Sequence, residues 1–366
     1  MKVLVISTVE LEKNGITSVI LNLMQSIDKK NLHFDVVAIK RPLPDVQKKL
    51  EALGCKIFIL ERSFHNILFY IGALSRIIKK ERYDIVHAHG NSSTLFFEMI
   101  SAYIGNCKIR IAHSHNTTCT SKFVNAVLKP LFKLAYTDGM ACGQDAGSWM
   151  FGNNKFTVIK NGINVNAYSY DETKRIDIRK RYSIPENGIV IGHVGVFNNQ
   201  KNHKFLFEIY SEIYKYNANI YLMLIGDGRL KRNFENDIQN EEYRHNVIFV
   251  GTTNNVNSYL CAMDAVAMPS LYEGLPLAVI EEQANGLSCI LSENITKEVD
   301  KTGNVVFFSL NDKESWVNYI TDIKINKNRQ LTSSKAIEDI IKSGYSIEDE
   351  AQKLREYYFN ALEREV

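Results

Sequence analysis

Residues 264–286 read DAVAMPSLYEGLPLAVIEEQANG, and this stretch decides the type of fold. The apolar run at 264–268 predicts a buried strand, Gly274 lies in the turn that follows, and Pro276 suits the first position of a helix. Gly286 suits the end of that helix. A helix N-terminus carries unpaired N–H groups and the positive end of the helix dipole, which together favour an anion. The stretch therefore predicts a strand, a ligand-binding loop and a helix in succession.

The same alternation of short β-branched runs and amphipathic stretches extends from this segment along the chain. The predicted strands lie at 3–7, 34–39, 56–60, 85–88 and 110–113, and then at 189–194, 220–225, 247–250, 264–268, 288–291 and 305–308. Strands that alternate with helices form mostly parallel sheets with helices on both faces. We therefore expect an α/β fold.

A polar, turn-rich segment at 158–185 interrupts the alternation and marks a domain boundary. A chain of 366 residues also suits two domains of ordinary size. We predict two Rossmann-like domains at 1–165 and 166–346, with parallel sheets that face a cleft between the domains. The amphipathic stretch at 347–366 is expected to form a helix that packs back on the first domain, although the pattern alone does not identify its partner.

The composition excludes several classes of protein. The formal net charge of +3 is too small for a nucleic-acid-binding surface, so we expect no nucleic acid partner. The six cysteines include no CxxC pair, which argues against a zinc ribbon or a thioredoxin motif and favours a reduced, cytoplasmic protein. No run approaches the roughly 18 apolar residues of a membrane-spanning helix, and the N-terminus lacks the pattern of a signal peptide.

Two carboxylates flank the predicted helix start. Glu273 lies in the loop, and Glu281 lies inside the helix, roughly 7 Å further along its axis than Pro276. They could contact different parts of one elongated ligand, such as a diphosphate with a sugar on one side and a ribose on the other. Either glutamate alone would more often be a solvated surface residue. Their position around a strand, turn and helix favours a functional site.

This segment resembles the EX7E motif of the family-4 retaining glycosyltransferases, which have the GT-B fold. Within that group the chain is similar to bacterial capsular and exopolysaccharide glycosyltransferases. Further stretches that carry the resemblance are RIAHSHN at 110–116, NGI at 161–163, GHVG at 192–195, QKNH at 200–203 and GDG at 226–228. The resemblance implies that the first domain is the acceptor side and the second the nucleotide-sugar donor side. It also implies that Glu273 contacts the donor sugar and Glu281 the ribose, while the backbone at Gly274, Leu275, Pro276 and Leu277 touches the sugar or phosphates.

Lys201 follows the glycine-containing strand end at Gly195 and is a candidate cation for a departing diphosphate. The alternative is a solvated lysine near a helix start. Similar enzymes have an arginine five residues before this lysine, where this chain has Val196. Without that arginine the chain lacks a guanidinium group that could bind phosphate through two hydrogen bonds, so we expect weaker phosphate binding. Lys201 alone or Arg229 could compensate.

Two glycine-containing turns are candidate contacts for the donor. Gly226 opens the GDG turn after a strand and would let the backbone pass close to the nucleotide, although such turns are common. Gly15 opens the first helix, a position that can cradle phosphate, and an ordinary turn is about as plausible there. No GxGxxG is present, so a nicotinamide or flavin fingerprint is absent. The resemblance implies that the loop at Gly15 closes onto the donor phosphates.

Four histidines lie at two predicted strand ends. His113 and His115 face the same side of one strand, and His87 and His89 have the same arrangement on another. A buried, hydrogen-bonded histidine is the ordinary interpretation, and His113 is the first candidate for contact with the transferred sugar or the acceptor. As a metal pair, His113 and His115 would need a third ligand, and none is evident. No DxD motif is present either, so we expect neither a metal nor another cofactor.

Two basic amphipathic stretches, at 66–80 and 122–133, could contact an anionic membrane surface. Packing on the sheet is slightly favoured for the first stretch, and membrane contact for the second, whose lysines are spaced among large apolar residues. The protein would then lie peripherally on the inner face of the plasma membrane.

These observations together favour metal-independent, retaining transfer of a hexose or N-acetylhexosamine from a nucleoside-diphosphate sugar to a saccharide acceptor. A lipid-linked acceptor in surface polysaccharide biosynthesis is the expectation that the resemblance supports. The alternatives are a nucleotide-sugar epimerase of the same fold and a catalytically silent binding subunit, for which the departure at Val196 is the supporting observation.

Overall fold

The computed structural model describes residues 1–12, 14–119 and 121–364. The chain forms two compact units, one of Met1–Gly162 together with Gly344–Val366, and the other of Ile163–Ser343. The C-terminal helix is therefore part of the first unit. The last two residues of the helix expected at 347–366 lie outside the described residues.

Each unit contains one parallel sheet. The strands of the first unit are β1 (Lys2–Ser7), β2 (His33–Ala38), β3 (Ile57–Ile59), β4 (Ile85–Gly90), β5 (Ile109–Ser114), β6 (Asp138–Ala141) and β7 (Thr157–Val158). Those of the second unit are β8 (Ile189–Val194), β9 (Ile220–Ile225), β10 (Val247–Gly251), β11 (Ala265–Met268), β12 (Ser288–Ser292) and β13 (Val305–Phe308). Every predicted strand is present within two residues, which confirms the α/β class. The strands β6 and β7 were not predicted because their sequences, DGMA and TV, contain no run of apolar, β-branched residues.

Helices connect the strands and cover both faces of each sheet. They are α1 (Gly15–Ser26), α2 (Pro44–Ala52), α3 (Ile67–Glu81), α4 (Phe96–Ile104), α5 (Lys122–Ala135), α6 (Gln144–Phe151), α7 (Glu172–Arg181), α8 (His203–Tyr216), α9 (Lys231–Asp237), α10 (Val256–Ala262), α11 (Leu277–Ala284), α12 (Lys313–Thr321), α13 (Arg329–Lys342) and α14 (Ile347–Glu363). Across the described parts of the chain, none of these helices combines the length and apolarity needed to cross a membrane.

The first unit has the strand order β3-β2-β1-β4-β5-β6-β7. Its core includes the C-terminal helix α14, whose apolar stripe contains Ile347, Leu354 and Tyr358. These residues share one buried cluster with Ile20 and Met24 of α1, and α1 packs against α14. Tertiary packing thus supplies the partner that the pattern of the last helix left open.

The second unit has the strand order β10-β9-β8-β11-β12-β13. The chain builds outward from β8 through β9 to β10 and then returns to place β11 on the other side of β8. Ligands of open α/β sheets bind at such a reversal, outside the carboxyl ends of the strands. The strand order therefore places the loops after β8 and β11 at the expected binding position of this unit.

A buried ion cluster fixes the start of β11. The carboxylate of Asp264 accepts hydrogen bonds from the guanidinium groups of Arg175 at 2.7 Å and Arg179 at 2.6 Å. It also accepts the backbone N–H of Val190 at 2.8 Å. Because three donors surround this buried carboxylate, the cluster holds α7 against the amino ends of β8 and β11.

Candidate active site

The loops after β8 and β11 are joined to each other. The N–H of Leu271 donates to the carbonyl of Gln200 at 2.8 Å, and the side-chain amide of Gln200 donates to the carbonyl of Tyr272 at 3.0 Å. Backbone hydrogen bonds of this kind fix the relative position of two loops that are far apart in sequence. The strand-end residues that the sequence singled out are therefore held together on one rigid edge.

At this edge Lys201 and Glu273 form an ion pair. Their Nζ and Oε1 atoms are 2.8 Å apart, and both side chains are largely buried, with exposed fractions of 15% and 11%. The N–H of Lys201 also donates to the side-chain oxygen of Asn198 at 3.0 Å, which orients the start of the lysine side chain. The structure thus brings together two of the three residues that the sequence suggested for catalysis, and neither is a solvated surface residue.

Helix α11 begins next to this pair. Pro276 is the N-cap residue, with the helix starting at Leu277, so the prediction that Pro276 is the first helical residue was wrong by one position. Proline has no N–H to donate, and the free N–H groups of the first turn begin with Leu277 and Ala278. Gly286, with φ of +76°, follows the end of the helix as expected. The loop between Glu273 and Leu277 therefore ends in a helix N-terminus suited to an anion.

The loop at Gly274 is open. Gly274 is exposed, and a Cβ built on it would have no atom within 4 Å, whereas Leu275 is half-buried. The backbone at Gly274 is accordingly open to a ligand, and contact of 274–277 with the donor stays a prediction.

Glu281 is partly buried on α11 rather than being a surface residue. Burial raises the pKa of its carboxyl to about 7, and a hydrogen bond from the hydroxyl of Tyr168 acts in the opposite direction. Tyr168 belongs to the 3₁₀ turn Val165–Tyr168, which packs against α11. Tyr168 was missed by the sequence reasoning because it is more than a hundred residues from Glu281, and only the fold makes the two neighbours.

The GDG turn after β9 is required by packing. Gly226 has φ of +138°, and a Cβ there would lie 1.9 Å from the carbonyl oxygen of Gly195. Gly228 has φ of +156°, and its Cβ would lie 2.6 Å from the carbonyl oxygen of Phe197. The two loops approach so closely that a side chain has no room at either glycine. Gly226 packs against Gly195, and Gly195 in turn lies against the Lys201 side chain. The tight turn therefore helps to position Lys201.

Two positions near the pair are open to solvent. Val196, which stands where similar enzymes have an arginine, is 52% exposed. Arg229 is also exposed, and its contact with a phosphate stays a prediction. Lys201 is held in place at this edge by its contacts with Glu273 and Asn198.

In the first unit, Gly15 is the first residue of α1 and has no atom within 4 Å of a built Cβ. The side chain of Asn14 caps this helix by accepting the N–H of Thr17 at 3.0 Å. The loop lies after β1, and β1 and β4 flank the reversal of strand order in this sheet. Gly15 therefore occupies the equivalent of the phosphate-binding position in other open α/β sheets.

The four histidines pack into one array on β4 and β5. His89 pairs in register with His113 along the two strands, and the four rings stack or lie side by side with centroids 4.3–5.2 Å apart. His87, His89 and His113 each offer a nitrogen within 4.8 Å of the others, a grouping different from the pair of His113 and His115 considered from the sequence. Parallel pairing of two strands supplied the third ring, which spacing within one strand does not reveal.

Burial differs within the array. His113 is fully buried and hydrogen-bonded to His87, whereas His115 is partly exposed. Burial lowers the pKa of His87, His89 and His113 well below the usual value, and that of His115 to about 4. All four rings are therefore neutral at physiological pH and serve as hydrogen-bonding groups.

The sequence of the chain is similar to those of known glycosyltransferases. The family model Glycosyl transferases group 1 matches residues 174–345, and the model Glycosyltransferase Family 4 matches residues 13–167. EpsF of Bacillus subtilis (strain 168) is 28% identical over 303 residues, which is 79% of each chain. A UDP-Gal:alpha-D-GlcNAc-diphosphoundecaprenol alpha-1,3-galactosyltransferase of Escherichia coli is 26% identical over 306 residues, again 79% of each chain.

The solved structure of Anabaena Alr3699/HepE in complex with UDP-glucose matches with a TM-score of 0.77 at 15% identity, covering 98% of this chain and 100% of that chain. The two family models together span most of the chain, one on each unit. The fold matches that of HepE over 98% of the chain. The protein therefore belongs to glycosyltransferase family 4 and is a glycosyltransferase with the GT-B fold.

Proposed function

We propose that the protein transfers a hexose or N-acetylhexosamine, with retention of configuration, from a uridine-diphosphate sugar to a saccharide acceptor in surface polysaccharide biosynthesis. The observation that carries the proposal is the ion pair of Lys201 and Glu273, 2.8 Å apart, beside the N-terminus of α11. A diphosphate is drawn to that helix terminus, and a sugar attached to it would lie next to Glu273.

The proposed reaction uses these groups to stabilise the leaving group. The bond between the anomeric carbon and the diphosphate oxygen breaks, and the nucleoside diphosphate leaves with the bonding electrons. Lys201 and the first N–H groups of α11 stabilise the charge that develops on the leaving group, which is the interaction that contributes most to such a step. The acceptor hydroxyl then attacks the same face of the sugar, its oxygen bonds to the anomeric carbon, and its proton passes to the departing diphosphate oxygen. These groups supply the charge stabilisation without a metal ion, and we assign no protein nucleophile.

Glu273 and Glu281 divide the recognition of the donor. Glu273 accepts hydrogen bonds from sugar hydroxyls, and its pairing with Lys201 keeps its carboxylate in place before the donor arrives. Glu281 accepts from the ribose hydroxyls, provided that its carboxyl is ionised. The choice of uridine is supported by the UDP-glucose bound to HepE and by the UDP-Gal donor of the Escherichia coli relative.

The proposed acceptor is lipid-linked, as in the name of that same relative, which specifies a diphosphoundecaprenol saccharide. Helix α5 supports this acceptor because its outward face is apolar. Its exposed residues include Phe123, Val127, Leu131 and Leu134. Lys122 and Lys133 are exposed on the same helix, and α5 contains no acidic residue. An apolar face with flanking lysines suits the interface of an anionic membrane.

Helix α3 is less suited to the same role over its full length. Its exposed apolar residues, Leu68 and Phe69, lie in the first turn, whereas Arg76, Lys79 and Lys80 are exposed in the second half. Because α4 packs against both α3 and α5, the apolar start of α3 can extend the surface on α5. We therefore propose peripheral contact with the inner face of the plasma membrane, led by α5, for a protein of the cytoplasm.

The first test is a thermal-shift screen of nucleotide sugars and free nucleoside diphosphates without added metal. A ligand at a hundred times its dissociation constant stabilises the fold by roughly 2.7 kcal/mol. We expect a shift with uridine ligands, and its loss in Glu273→Ala and Lys201→Ala but not in Lys204→Ala, whose side chain is exposed on the neighbouring helix. A flat response from the folded protein would favour the silent binding subunit.

Transfer is then measured with the donor identified by the screen, and the anomeric configuration of the product is read by NMR. An inverted product would refute the retaining mechanism. Turnover of donor without acceptor would favour the epimerase, and full activity of Glu273→Ala would refute the site assignment.

Membrane contact is tested separately by flotation with vesicles of anionic and neutral lipids at low salt. We expect binding to anionic vesicles that is lost when Phe123 and Leu134 are changed to Asp. Failure of the unmodified protein to bind anionic vesicles would refute the membrane contact.

A further inference from the structure

The histidine array of the first unit consists of two hydrogen-bonded rows. In the deep row, the hydroxyl of Tyr358 on α14 lies 2.6 Å from Nδ1 of His87, and Nε2 of His87 lies 3.1 Å from Nδ1 of His113. In the rim row, Nδ1 of His89 lies 2.8 Å from Nε2 of His115. The rows stack on each other, with ring centroids 4.3 Å apart on each strand.

The direction of the deep row follows from its end at Tyr358. A neutral imidazole has one nitrogen that donates and one that accepts, and a tyrosine hydroxyl has one proton to donate. Tyr358 is buried, and within the described residues its hydroxyl has a single hydrogen-bond partner, His87. The hydroxyl of Tyr358 has an acceptor only if it donates to Nδ1 of His87. If Nδ1 of His87 donated to the tyrosine oxygen instead, the buried O–H would have no acceptor.

This choice propagates along the row. If Nδ1 of His87 accepts, then Nε2 of His87 carries the proton and donates to Nδ1 of His113. The proton of His113 must then be on Nε2. That nitrogen is buried and has no hydrogen-bond partner within the described residues. A buried N–H without an acceptor is costly, so an oxygen of a ligand or of an ordered water belongs at this point.

The same geometry disfavours a metal ion as the missing partner. The paired rings of His87 and His113 are nearly parallel, at 9°, and their nitrogens are 3.1 Å apart with hydrogen-bond alignment. A zinc ion at about 2.0–2.1 Å from both nitrogens would lie to one side of the line that joins them, whereas the two rings point their nitrogens at each other along that line. Ion binding would therefore require the rings of His87 and His113 to turn out of their hydrogen bond.

We propose that Tyr358 is a positioning residue that fixes the tautomer of His113, so that its Nε2–H is a hydrogen-bond donor for a hydroxyl oxygen of the bound saccharide. The inference rests on the proposed function for the identity of the ligand. The tautomer itself depends only on the array. His113 lies one residue before the end of β5, at the carboxyl edge where ligands of such sheets bind.

The test uses the full-length protein with ¹⁵N-labelled histidine, since the ring nitrogen shifts distinguish protonated from bare nitrogen. Signals are assigned with single His→Gln variants. We expect His87 and His113 to carry protons on Nε2, and UDP-glucose or the saccharide acceptor to move the Nε2–H signal of His113. A proton on Nδ1 of His113, or a signal that no saccharide ligand moves, would overturn the proposal.

The matched variants are Tyr358→Phe and Tyr357→Phe. The first removes the hydroxyl that begins the deep row, and the second removes a hydroxyl on the same helix that bonds Asp138 instead. In Tyr358→Phe we expect the shifts of His87 and His113 to move toward averages of the two tautomers. We also expect kcat/KM to fall about fivefold, the size of one lost neutral hydrogen bond. Tyr357→Phe should change neither the histidine shifts nor kcat/KM.

Two further results would count against the inference. Tautomers unchanged in Tyr358→Phe would show that the hydroxyl does not set them. A stoichiometric metal ion in the purified protein, lost together with His87 or His89, would replace the hydrogen-bonded array by a metal site. If the protein used no nucleotide sugar, the proposed function would fail. The NMR measurement would still show which nitrogen of His113 carries the proton.

Discussion

Ionisation of the buried Glu281 carboxyl lowers the stability of the fold, although the proposed contact with ribose needs the ionised form. A single substitution at Glu281 can separate these two effects. Burial raises the pKa of its carboxyl from 4.5 to about 7. The folded protein therefore binds this proton more tightly than the unfolded chain does. The stability that Glu281 contributes is fully present below pH 4.5 and is lost as the pH rises through about 7.

The magnitude follows from the shift of the pKa. The rise of the pKa from 4.5 to about 7 corresponds to about 3 kcal/mol of lost stability at pH 8, against about 1 kcal/mol at pH 5. Glu281→Gln removes the ionisation while it keeps the size of the side chain and a partner for Tyr168. We therefore expect this variant to be more stable than the parent by about 3 kcal/mol at pH 8 and by about 1 kcal/mol at pH 5.

The assay is urea unfolding of both proteins at pH 5, 6, 7 and 8, with the exposed Glu298→Gln as the control. The same variant should bind UDP about tenfold more weakly at pH 8, because a charge-assisted hydrogen bond to the ribose becomes a neutral one. A stability difference that is absent at pH 8, or that does not change with pH, would refute the reasoning about burial. Unchanged affinity for UDP would refute the contact with ribose.

Three other predictions concern the second unit. Val196→Arg should tighten UDP binding about tenfold in calorimetry without loss of stability, because position 196 is half exposed; unchanged affinity would mean that this position does not reach the phosphates. Gly226→Ala should destabilise the fold by more than about 2 kcal/mol, because its Cβ would lie 1.9 Å from a carbonyl oxygen, whereas Gly274→Ala should have no such effect on the melting temperature. Asp264→Ala should cost about 3–5 kcal/mol in urea unfolding, since it leaves two buried arginines unpaired, and a loss below about 1 kcal/mol would contradict the importance of that cluster.

Local patterns were sufficient for much of the fold. Each predicted strand was a run of apolar, β-branched residues, and such runs are recognisable without knowledge of their neighbours. The loop and helix at 269–284 were predictable in the same way, from Gly274, Pro276 and Gly286. The error at Pro276 was one residue, because an N-cap and a first helical residue both tolerate a missing N–H.

The sequence by itself determined the α/β class, the positions of the strands and the spacing of Glu273 and Glu281 along one loop and helix. Only the tertiary structure decided which distant residues meet. The order of strands placed Lys201 beside Glu273, the pairing of β4 with β5 joined four histidines, and the packing of α14 brought Tyr358 to His87. The physical reason is that periodicity reports which face of a local element is buried, whereas the contacts of a site depend on which elements become neighbours when the sheets form.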